Sequence, residues 1–169
     1  SNSIIKKMML NINKQKKIDL FFGDLIFFKE NQINFSTRYI NSKKFKKKNL
    51  KSGLMPAHPA LFVRNRLYKK YGTYNEDFKI ASDFDFFLRM IFIKDCKFKA
   101  YNITIIRMRI GGISTKNIWS YILNTKEILY SFKINRISLS FFIPLRFIFK
   151  MSQFILPLKD KFKIFNLKD

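Results

Sequence analysis

The run Asp19-Leu-Phe-Phe-Gly-Asp-Leu-Ile-Phe-Phe28 constrains this chain more than any other segment. Aromatic and branched side chains of this kind favour an extended backbone. A glycine inside such a run, Gly23, marks a bulge or a place where another backbone comes close. The pattern predicts a strand over residues 19–28, with residues 33–40 placed to pair with it.

The remaining segments read as cover for that strand. Ile4, Ile5, Met8, Met9 and Ile12 recur at helical spacing between lysines, which predicts a surface helix with one buried stripe. Residues 41–53 carry six lysines and little apolar content, the composition of an exposed loop. A short apolar run over 60–63 follows, and Asn65 is placed to cap a helical turn over 66–71 that Gly72 ends. Ser82-Asp-Phe-Asp85 has the form of a capping box, after which Phe84, Phe87, Leu88, Ile91 and Phe92 give a helix a wide apolar stripe. Residues 97–110 alternate as one or two strands do, Gly111-Gly112 breaks them, and Ile118, Tyr121, Ile122, Ile128, Leu129 and Phe132 indicate another amphipathic helix. The expected class is α/β: a partial mixed sheet flanked by helices over residues 1–133, followed by a basic amphipathic helical tail over 134–169. The apolar stretch of that tail is interrupted by Pro144, Arg146, Lys150 and Pro157, so it lacks the roughly 20 clean apolar residues of a spanning helix. It suits either an anionic membrane surface or a protein partner.

Composition excludes several classes. With 169 residues, 47% hydrophobic and 21 of them Phe, the chain has material for one real core and is not a disordered tail. Cys96 stands alone, so there is no internal disulfide, and no Cys/His cluster has zinc-site spacing. A reducing, cytoplasmic setting fits, and residues 1–17 lack the apolar core and cleavage site of a secretory signal. The net charge of +23, from 34 basic against 11 acidic residues, attracts phosphates, although Lys, Ile, Asn and Phe dominate together as they do under A/T-rich coding drift. A nucleic-acid-binding role is disfavoured, because no RNP-like string, zinc-finger spacing or basic helix-turn-helix accompanies the charge.

Four segments in order, Phe22-Gly-Asp-Leu-Ile26, Met55-Pro-Ala-His-Pro59, Tyr71-Gly-Thr-Tyr-Asn-Glu-Asp-Phe-Lys-Ile-Ala-Ser-Asp-Phe-Asp85 running on to Arg89, and Arg107-Met-Arg-Ile-Gly-Gly-Ile-Ser114, together resemble the second half of bacterial family-2 glycosyltransferases. The resemblance covers roughly residues 3–130. It implies the acceptor-side portion of a GT-A fold, in which sugar moves from a nucleotide-sugar donor to a surface-polysaccharide or lipid-linked acceptor. It also implies peripheral attachment at the inner membrane face and a divalent metal, Mn2+ or Mg2+, held on the donor diphosphate by a D-x-D motif. That motif belongs to a donor-binding half with no counterpart here, so the resemblance marks the chain as a fragment that transfers no sugar and binds no metal by itself. A catalytically inactive membrane-surface or scaffold fragment is the alternative.

An inverting transfer needs a base on the acceptor side, because the attacking hydroxyl loses its proton as it reaches the anomeric carbon. The resemblance places Asp83 in that role. Asp83-Phe84-Asp85 is itself a D-x-D string, but it opens a helix, whereas the donor motif closes a buried strand. A carboxylate at a helix start is held ionised by the dipole, which predicts lowered basicity for Asp83. The resemblance further assigns Pro56, His58, Asp24, Asp85 and Arg89 to the acceptor or substrate side. It assigns Arg107, Arg109, Gly111, Gly112 and Ser114 to a loop over the donor phosphates, where a guanidinium offsets charge on the leaving diphosphate.

Overall fold

A computed structural model describes residues 2–29, 32–109 and 118–138. Its centre is β1 (Leu20–Lys29), the aromatic run, which is bordered along both edges. On one edge lies β4 (Phe98–Arg109), parallel to β1 from Leu20↔Phe98 to Phe28↔Arg109. The other edge is antiparallel and shared in succession: β3 (Leu61–Val63) pairs with Leu20, Phe21 and Phe22, and β2 (Gln32–Ile40) pairs from Leu25 to Lys29. The chain is therefore mixed α/β, with a four-stranded mixed sheet.

Alternation along β1 assigns its two faces. Phe21 meets Met8 and Ile12 of α1 (Asn2–Asn13) on one side. Leu20 and Phe22 point the other way, into a larger core with Phe84, Phe86, Phe87, Leu88, Met90 and Ile91, closed from outside by Ile128 and Phe132 of α4 (Ile118–Ile134). Alternation of this kind lets one strand serve two cores. The stripe on α1 is narrower than its sequence suggests, because Ile5 and Met9 remain exposed. Arg64 holds the C-terminal end of that helix: its guanidinium donates to the carbonyls of Ile12, Gln15 and Ile18 at 2.8, 3.0 and 2.7 Å, and lies over the Phe21 ring. The Ile12 and Gln15 carbonyls also accept the N–H groups of Gln15 and Ile18 at 3.1 Å each, so Arg64 reinforces the turns that follow the helix.

Gly23 is required by a close approach. Where β1 advances from Phe22 to Leu25, β4 advances from Ala100 to Ile106, so β4 bulges against the glycine. A Cβ there would lie 2.1 Å from Ile105 Cδ1 and 2.7 Å from the Ile103 carbonyl oxygen. The single strand β4 resolves the expectation of one or two strands over 97–110.

Two sequence expectations about helix starts are corrected. Asn65 is the first residue of α2 (Asn65–Tyr71) rather than its cap; Arg64 precedes the helix in extended conformation without a side-chain cap, while Gly72 ends it at φ 82 as expected. The capping box of α3 (Ser82–Phe87) does not form: Ala81 is the cap, and neither Ser82 nor Asp85 caps the turn. The reason is that Asp85 is drawn into the core and the α3 start is served from α4. α3 runs on into a wider, π-type turn over Leu88–Ile93, and together they bury Phe84, Asp85, Phe86, Phe87, Leu88, Met90 and Ile91. Residues 41–53 are likewise more ordered than a loop, forming 3₁₀ turns at Ser42–Lys44 and Lys47–Ser52 with Ser42 and Leu50 buried. Nearly all of the expected tail, and Gly111, Gly112 and Ser114, lie outside the described residues.

Candidate functional site

The first turn of α3 presents two carboxylates in different directions. Successive helical residues rotate by about 100°, so positions two apart face nearly opposite ways. Asp85 points inward and is fully buried, accepting from Arg89 Nε at 2.8 Å, Ser131 Oγ at 2.8 Å and Asn135 Nδ2 at 2.9 Å. Arg89, one turn later, also donates to the carbonyls of Tyr71 and Thr73 at 3.3 and 2.5 Å. Asp85 and Arg89 thus join α3, α4 and the loop after α2.

Asp83 is half-buried on the outer side of the turn. Burial pushes its carboxyl above the ordinary carboxylate range. The Phe84 N–H, 2.7 Å from Oδ1, and the nearby charge of His58 act against that rise without cancelling it. The lowered basicity expected from the helix start is therefore corrected: desolvation outweighs the local donors.

His58 reaches the same neighbourhood from the other side of the chain. It opens a 3₁₀ turn, His58–Ala60, that follows the buried Pro56 and contains Pro59, which fixes the backbone. Its Nε2 shares a 2.9 Å hydrogen bond with the Tyr74 hydroxyl, and its ring stands edge-on to Tyr74 and Phe87. Tyr74 packs on Phe86 with ring centroids 4.7 Å apart. Its phenol ionises well above the ordinary range, first because of burial, then because of Tyr68, then because of the Asp83 carboxylate. Asp83, His58 and Tyr74 form one partly exposed polar cluster on an aromatic floor.

Glu127 of α4 holds this cluster from behind. Its Oε1 accepts from Lys79 N–H at 2.9 Å, and its Oε2 accepts from Ile80 and Ala81 at 2.8 and 2.7 Å. These are backbone donors just before the turn that carries Asp83, and they replace the side-chain cap that the sequence led us to expect.

Asp24 belongs to a second knot, at the corner between β1 and β2. Buried in the sheet, it accepts from Tyr39 Oη at 2.5 Å and from Ser42 N–H at 2.7 Å. Burial, then the bond to Asp24 and its charge, push the Tyr39 phenol up to about 12. Arg107 and Arg109 stand exposed near the end of β4, Arg107 over the Phe28 ring. Of the residues singled out in the sequence, the structure brings Asp83 and His58 together, with Pro56 supporting the His58 turn. It joins Asp85 to Arg89 and leaves Asp24, Arg107 and Arg109 with other partners.

Among the described residues no three His, Cys, Asp or Glu side chains converge as metal ligands. The string Asp83-Phe84-Asp85 does not form a two-carboxylate clamp, because Asp85 is taken up by α4. Tyr74 and Glu127 were not singled out from the sequence. For Glu127 a signal exists, since it is the lone acid in a basic helix. The chain was compared with protein-family models, with curated proteins and with solved structures, and none of them matches.

Proposed function

We propose that this chain forms the acceptor-side part of an inverting, family-2-like glycosyltransferase of the GT-A type, in which Asp83 takes the proton from the acceptor hydroxyl. The observation that carries the reading is the half-buried Asp83 carboxyl, raised above the usual range and set beside the His58–Tyr74 pair. A base whose pKa is lifted toward working pH accepts a proton more readily than an ordinary carboxylate. His58 and Tyr74 line the acceptor side and orient the sugar through hydrogen bonds. Glu127 and Asp85 fix the turn so that the carboxylate does not have to be ordered when substrate arrives.

The donor, its phosphates and the divalent metal belong in this reading to a donor-binding half outside these residues. In this reading Arg107 and Arg109, exposed near the end of β4, offset charge on the leaving diphosphate. The acceptor is a cell-surface glycan or a lipid-linked saccharide.

The test uses the enzyme that contains this chain together with its donor-binding half. Asp83→Asn is expected to lower transfer by about 10²–10⁴-fold, with binding of the nucleotide-sugar unchanged by calorimetry. Retained transfer overturns the reading, and loss of donor binding moves Asp83 to a metal role. His58 is the sole histidine, so its ring resonances give an independent readout. They are expected to shift when an acceptor saccharide is titrated into the 169-residue chain, while that chain alone turns over no nucleotide-sugar.

A further inference from the structure

The lysine-rich turns after β2 are a built platform. Residues 41–54 contain six lysines and no carboxylate. Their backbone is closed by hydrogen bonds from Phe45 to Ser42, from Gly53 to Leu50 and from Leu54 to Asn49, and it is anchored by the buried Leu50 and Ser42. Lys47 and Lys51 lie over the Phe92 ring at 5.5 and 5.2 Å, which fixes the platform against the far end of the helical stretch whose first turn carries Asp83. Lys47 pairs with Asp95; the exposed Lys43, Lys44, Lys46, Lys48 and Lys51 make no ion pair among the described residues. Leu54 and Ile93, beside these lysines in sequence and next to Phe92 respectively, are exposed.

We infer that this platform is a docking surface for an anionic lipid bilayer. Exposed ammonium groups next to exposed aliphatic side chains match a headgroup region, where charge is met by lipid phosphates and apolar tips enter the acyl boundary. A nucleic acid is fitted less well. Base stacking needs an open aromatic face, whereas Phe45 packs on Phe22 and Phe98 and the Phe92 face is covered by two lysines. The inference does not rest on the transfer reaction. Asp83 lies in the first turn and Phe92 in the last turn of one helical stretch, nine residues apart, so the two surfaces are separable by mutation.

The test is sedimentation of the full chain with phosphatidylcholine vesicles, with and without about one-third phosphatidylglycerol. Binding is expected with the anionic vesicles alone. The variant Lys43→Gln, Lys44→Gln, Lys46→Gln, Lys48→Gln is expected to weaken it by about tenfold or more. A control with the same charge change, Lys6→Gln, Lys7→Gln, Lys14→Gln, Lys69→Gln, is expected to lose less than about threefold, because charges beyond about 8 Å from the lipid are screened. Leu54→Ser with Ile93→Ser is expected to remove the binding that survives high salt. Equal losses in the two lysine variants overturn the proposal, as net charge then accounts for the effect. Displacement from vesicles by single-stranded RNA at lower concentration than by anionic lipid also overturns it, in favour of a nucleic-acid surface.

Discussion

Asp83 and Asp85 are two residues apart in sequence and have opposite fates. Asp85 is a fully buried anion with three donors, and removing one partner of such a group is costly because the others stay buried without it. Asp85→Ala is expected to destabilise the fold by about 3–5 kcal/mol, read from denaturant midpoints. Asp83 carries the reverse sign. Its folded pKa lies above the ordinary 3.8, so the native state binds that proton more tightly than the unfolded chain does. The resulting stability is complete below pH 3.8 and disappears as pH rises through the folded pKa. Asp83→Asn is therefore expected to melt above wild type at neutral pH, with the gap closing as pH falls into the carboxylate range. A gap that widens on acidification would mean a lowered pKa instead. The sequence made Asp83 and His58 visible as motif residues, but not their contrast with Asp85, because burial of a carboxylate depends on partners some 50 positions away. Tyr74 stayed hidden for the same reason: one of seven tyrosines, it is distinguished only by what it touches.

At the level of elements, the apolar patterns of β1, α1, α3 and α4 located a strand and three helices, although the α1 stripe is narrower than its period and the helix begun by α3 widens into a π-type turn. The starts of α2 and α3 did not follow local rules, because donors and acceptors from distant segments replaced local caps. Glu127 is the case in point: one carboxylate from α4 receives three N–H groups before α3. Glu127→Ala is expected to cost about 2–3 kcal/mol and to raise hydrogen-exchange rates at Lys79, Ile80 and Ala81 ahead of the rest of the core. Gly23 is the second case. Its presence was legible as a bulge or close approach, while the partner was not. Gly23→Ala is expected to destabilise by about 1–3 kcal/mol. Adding Ile105→Val is expected to recover only part of this, because the Ile103 carbonyl oxygen cannot move aside as a side chain can.

Across the whole molecule, a charge of +23 confronts few opposing groups: three ion pairs join the described residues. Self-repulsion of this kind works against compact states and weakens when salt shortens its range, from about 30 Å at 0.01 M to about 8 Å at 0.15 M. The melting temperature is expected to rise by about 2–5 °C across that interval; a fall would mean that favourable pairs outweigh repulsion. Pairing of β1 with β4 has a further consequence, for synthesis on the ribosome. The hairpin with β2 can close once residue 40 has emerged, yet the opposite edge of β1 stays bare until residues 98–109 emerge. An apolar strand waiting with an open edge is a template for intermolecular pairing. The nascent chain is most vulnerable to aggregation during that interval, and translation arrested between residues 40 and 98 is where a chaperone would bind it.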